Sequence, residues 1–179
     1  MTLSTTAGVT NLPNLNVETI YINDVQCNAT AAELNAAADV SARLVTIADA
    51  TTYTVLAANS GKIHTLPDFT SSCTLSMPTP ASGLEYEFIY RGVAADAQNA
   101  IFDTASNTNY FIGGLVHVDT DAGDLADEIV PIAGDGNSNS KLTIVTPNVG
   151  TRIKMICDGT LWILAGTVVS ATVPSFADQ

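Results

Sequence analysis

Charged residues are scarce in this chain. They make up 13% of its 179 residues, about half the usual share of roughly 25%. Only six are Lys or Arg, against 18 Asp or Glu, for a net charge of −12. So few cations exclude a nucleic-acid partner, because affinity for a phosphate backbone comes from clustered Lys and Arg. The acidic balance does not make the chain a disordered tail, since 46% of its residues are hydrophobic and such tails lack the apolar residues for a core. With Lys and Glu rare, the polar surface falls to Thr, Ser and Asn, which favours strands and turns over helix bundles.

Cysteine is equally sparse. Cys27, Cys73 and Cys157 are odd in number and far apart, which excludes both a CxxC metal pair and a complete disulfide framework. Reduced, buried thiols are expected. No stretch approaches the roughly 18 uninterrupted apolar residues of a membrane span, so no membrane partner is expected. The opening Met1-Thr2-Leu3-Ser4-Thr5-Thr6 has neither a basic region nor an apolar one. Synthesis in a cytoplasm without secretion is therefore expected.

What is present reads as many short strands. Residues 1–28 form an arm with one or two strands, of which Val17 to Ile22 is the most β-prone, and Asn23-Asp24 marks a turn. Residues 29–41 hold the one strong helix signal. Thr30 and Glu33 have capping-box spacing, and an alanine run follows. Residues 42–165 alternate apolar runs with turn residues at the spacing of about 8–12 residues that marks a sandwich or barrel. Within them Leu84, Tyr86, Phe88 and Tyr90 share one strand face, and Glu85, Glu87 and Ile89 the other. Residues 166–179 form a final strand or a tail. Its Val168, Val169 and Val173 would be an edge liability unless paired. The expected fold is all-β: a β-sandwich or jelly-roll-like domain with one short helix and extended N- and C-terminal arms.

No catalytic signature emerges. His64 and His117 sit in predicted strands without HExxH or Cys/His spacing, and read as surface or hydrogen-bonded core histidines. There is no GxSxG elbow. Gly134 to Ser140 lacks the Lys-Ser/Thr of a phosphate loop and reads as a connection between antiparallel strands. Asp119, Asp121 and Asp124 are a weak Ca²⁺ candidate, since hard cations take carboxylates from flexible loops. Gly123 and Glu128 nevertheless stand at the wrong offsets for an EF-hand, and a solvated acidic loop is the preferred reading. Glu85 and Glu87, adjacent on one strand face, suit a solvated stripe better than an acid pair for glycoside hydrolysis. Arg152 and Lys154 share a strand face; either they pair with acids across a subunit contact or they serve ordinary solubility, the preferred reading. Tyr110, Phe111 and Trp162 are either core or a platform for stacking on sugar, with core preferred. No enzyme activity, cofactor or metal is expected.

Four phrases carry a resemblance. Val25 to Asn35 resembles the V-x-x-T-A-A-E-L-N segment of tailed-bacteriophage structural proteins, although it continues Ala36-Ala37-Ala38-Asp39 where Leu-Asp-Gly is usual. Gly61 to Pro67, Pro80 to Ile89 and Gly150 to Trp162 are similar to the same group's G-x-x-x-x-L-P strand, P-x-x-G-L-x-y-x-F strand and closing G-x-x-v-x-l-x-x-D-G-x-x-W hairpin. The resemblance implies a virion component: a capsid decoration (cement) or head-fibre protein, made in the host cytoplasm and placed on the capsid surface. It implies a homotrimer whose partners are its own copies and the major capsid protein. A head- or tail-fibre receptor-binding protein is the alternative, disfavoured by the lack of any repeat or heptad run. Contact candidates are Val17, Ile20, Ile22, Arg152, Lys154, Val168 and Val173.

Overall fold

The computed structural model describes residues 20–22, 25–27, 30–121 and 129–179. The chain divides into two compact units, residues 1–39 and 40–179, each described by itself. In the first, strand β1 (Ile20–Ile22) pairs antiparallel with β2 (Val25–Cys27), Ile22 opposite Val25. Val17 and Asn23-Asp24 lie outside the described residues. Helix α1 spans Ala31–Ala38. It begins where expected, because the Glu33 amide donates to the Thr30 hydroxyl at 3.2 Å and the Thr30 amide to the Glu33 carboxylate at 2.7 Å. That capping box satisfies two amides that the first helical turn leaves without partners. The helix stops at Asp39, whose extended backbone ends the turn while its amide donates to the Asn35 carbonyl at 2.8 Å.

The second unit is a sandwich of two mixed sheets. Its strands are β3 (Leu44–Thr46), β4 (Thr52–Thr54), β5 (Lys62–Leu66), β6 (Cys73–Ser76), β7 (Glu85–Tyr90) and β8 (Ala100–Asp103). They continue as β9 (Phe111–Asp119), β10 (Ile129–Asp135), β11 (Lys141–Ile144), β12 (Arg152–Cys157), β13 (Trp162–Ser170) and β14 (Ser175–Ala177). The larger sheet has the order β10-β9-β13-β12-β7-β5-β3 and the smaller β14-β11-β8-β6-β4.

From β3 to β8 the chain changes sheet at every strand. As a result β3, β5 and β7 run parallel in one sheet, and β4, β6 and β8 parallel in the other. Turn spacing alone suggests antiparallel neighbours; the alternation between sheets produces the parallel pairing instead. The Gly134 to Ser140 connection is corrected in the same way. Gly134 and Asp135 end β10 in the larger sheet, and the chain then crosses to β11 in the smaller, so the loop joins strands of different sheets. The segment after residue 165 lies within both sheets. Gly166 to Ser170 completes β13, and β14 pairs antiparallel with β11.

Tyr86, Phe88 and Tyr90 point inward with Ile153, Met155, Trp162 and Leu164, and meet Leu75, Phe102 and Leu142 of the smaller sheet. The Phe88 and Phe102 rings stand edge-to-face with centroids 4.8 Å apart, a preferred aromatic geometry. Cys73 and Cys157 are free and buried. Burial, with the nearby Asp49 carboxylate adding to it, pushes the Cys73 thiol up to about 11. At Gly113 the backbone has φ +101°, and a Cβ would stand 2.5 Å from the Leu164 carbonyl oxygen. Only glycine lets β9 and β13 approach this closely.

Candidate functional site

The outer face of the larger sheet is the surface that the packing leaves unexplained. Along β12, Ile153, Met155 and Cys157 are buried while Arg152, Lys154 and Ile156 are exposed, and the register carries this alternation across the sheet. One transverse row runs Ala133 (β10), Gly114 (β9), Ala165 (β13), Lys154 (β12) and Glu87 (β7). On one side lies the row Pro131, Val116 and Thr167, and on the other Ile112, Ile163 and Ile156. The small residues thus make a shallow trough between two ridges of larger side chains. Ile129 is 72% exposed, Ile163 42%, Val116 41% and Ile156 38%. Apolar side chains that occupy one contiguous sheet face, rather than scattering singly, mark a contact surface.

At the β12–β7 end the trough meets four charges. Arg152 pairs with Glu87, and the Lys154 ammonium lies 2.6 Å from the Glu85 carboxylate. Both bases therefore meet acids of their own sheet. Within the chain the pairing is diagonal between neighbouring strands, each base skipping its register partner. Glu85 and Glu87 line the outer face as a stripe, as read from period two.

The other contact candidates separate. Val168 is fully buried, because it shares the inward face of β13 with Trp162 and Leu164, so it belongs to the core. Val173 is 45% exposed, between β13 and β14. Ile20 and Ile22 lie on the β1–β2 ladder. Trp162 and Phe111 are fully buried, as the core reading expects, and neither offers a ring to a sugar. Tyr110 is half-buried, its hydroxyl donating to the Asn107 carbonyl.

Titratable groups are mostly absorbed into the fold. His117 is buried, with Nε2 3.0 Å from the Ser170 carbonyl oxygen and 3.1 Å from its hydroxyl. His64 is also buried, packed against the rings of Tyr86 and Phe88 at centroid distances of 5.6 and 5.1 Å. Burial lowers its pKa. Of its two readings the surface one is corrected and the core position holds: the inward register of β5 sets the imidazole in an aromatic layer. The Asp119 carboxylate accepts from the Asp121 amide at 2.8 Å, and Asp124 lies outside the described residues. Among the described residues no three potential ligands cluster around a metal-sized space.

A second polar assembly had no signal in the sequence. The Tyr90 hydroxyl donates to Asp68, with the Ala94 carbonyl 3.0 Å away, while Asp96 accepts from the Phe69 amide at 2.9 Å and the Gln98 amide at 3.0 Å. Burial first, then the Asp68 hydrogen bond, raises the Tyr90 pKa. These contacts tie residues 91–99 to residues 67–69 across a span that no local motif announces. They fasten loops and hold nothing in a position to react.

Compared with models of known protein families, the sequence matches none. Compared with curated proteins, it matches none either.

Proposed function

We propose that this chain is a phage capsid decoration protein: a non-enzymatic virion component that binds the outer surface of the major capsid protein shell as a homotrimer and stabilises it. One observation carries the reading. Three of the phrases that resemble phage virion proteins, separated in sequence, form β5, most of β7, and β12 with the turn into β13; these are three adjacent strands of the larger sheet in the order β12-β7-β5. Phrases far apart in sequence thus belong to one contiguous structural unit. A broad sheet face rich in apolar and small residues suits a protein whose work is contact over area rather than chemistry.

The fibre-head alternative draws less support, because two of the three aromatics it would use against a sugar are in the core. The test is the copy number in purified virions, measured by quantitative mass spectrometry and located with gold-labelled antibody. Decoration requires hundreds of copies over the shell. A few tens or fewer, confined to the tail, would sink it.

A further inference from the structure

We draw no further inference here: the strongest candidate, the apolar trough around Gly114 and Ala165 on the outer face of the larger sheet, carries no proposal because nothing in the structure shows what covers it.

Discussion

Lys154 of β12 places its ammonium 2.6 Å from Glu85 of β7, although the residue directly opposite it in the ladder is Glu87. The offset leaves Glu87 to Arg152 and closes a chain of two diagonal pairs on an exposed face. Lys154 and Glu85 are both nearly half exposed, and pairs of that kind contribute at most about 1 kcal/mol. Lys154→Ala is therefore expected to lower stability by less than about 1 kcal/mol in urea unfolding, with the loss shrinking further in 0.5 M NaCl. A loss of several kcal/mol would mean that the pair is buried in an interface in solution.

Gly113 makes the opposite prediction. A methyl group there meets the Leu164 carbonyl oxygen at 2.5 Å on a backbone with φ +101°, so neither strand relaxes without breaking the β9–β13 ladder. Gly113→Ala is expected to cost about 1–3 kcal/mol from the backbone conformation alone, plus the clash. Gly114→Ala, one residue along and facing open space, is expected to fold as the parent does. Equal midpoints in urea for the two variants would refute this account.

His64 ties stability to pH. Its folded pKa lies below the unfolded value of about 6.5. At pH above that value both states are neutral and the full stability is present. As pH falls through 6.5 the unfolded chain binds a proton that the folded chain resists, so stability declines by up to about 1.4 kcal/mol per pH unit until the folded pKa is reached. Urea unfolding at pH 7.5 and 5.5 checks it: His64→Leu is expected to lose part of the parent's pH dependence. The same slope in both proteins would remove His64 from the explanation.

The buried thiols predict chemical silence. Cys73 and Cys157 are at most 1% exposed, and Cys73 titrates far above neutrality, at about 11. Since the thiolate is the reacting species, neither is expected to react with a disulfide reagent on the minute scale until denaturant is added. Mass mapping of the modified cysteines checks it. Rapid labelling of Cys73 in the native protein would contradict its burial.

Much of the architecture was legible because period-two patterns report burial directly. The inward face of Leu84 to Tyr90 was readable from those seven residues, and the α1 start from Thr30 and Glu33. Partner choice was not, since the same alternation serves a parallel or an antiparallel neighbour, and the change of sheet at every strand from β3 to β8 leaves no local trace. Val168 shows the limit: a β-branched residue near Val169 reads as an edge, and only the register with His117 of β9 places it inside. The trough was invisible for a related reason. Ala133, Gly114 and Ala165 come from three strands, and their common row exists only once the ladders set it.

The position of β13 has a consequence for synthesis. It joins β9 to β12 at the middle of the larger sheet, yet it leaves the ribosome after both of the strands it joins. Until Ser170 has emerged, β9 and β10 have no backbone partner beyond each other in that sheet, and the open flank of β12 remains a template for other chains. The nascent protein therefore passes through a stage in which its largest sheet exists as two unjoined halves. Crowding on a polysome would make that interval, rather than the finished fold, the point at which pairing between chains competes with pairing within one.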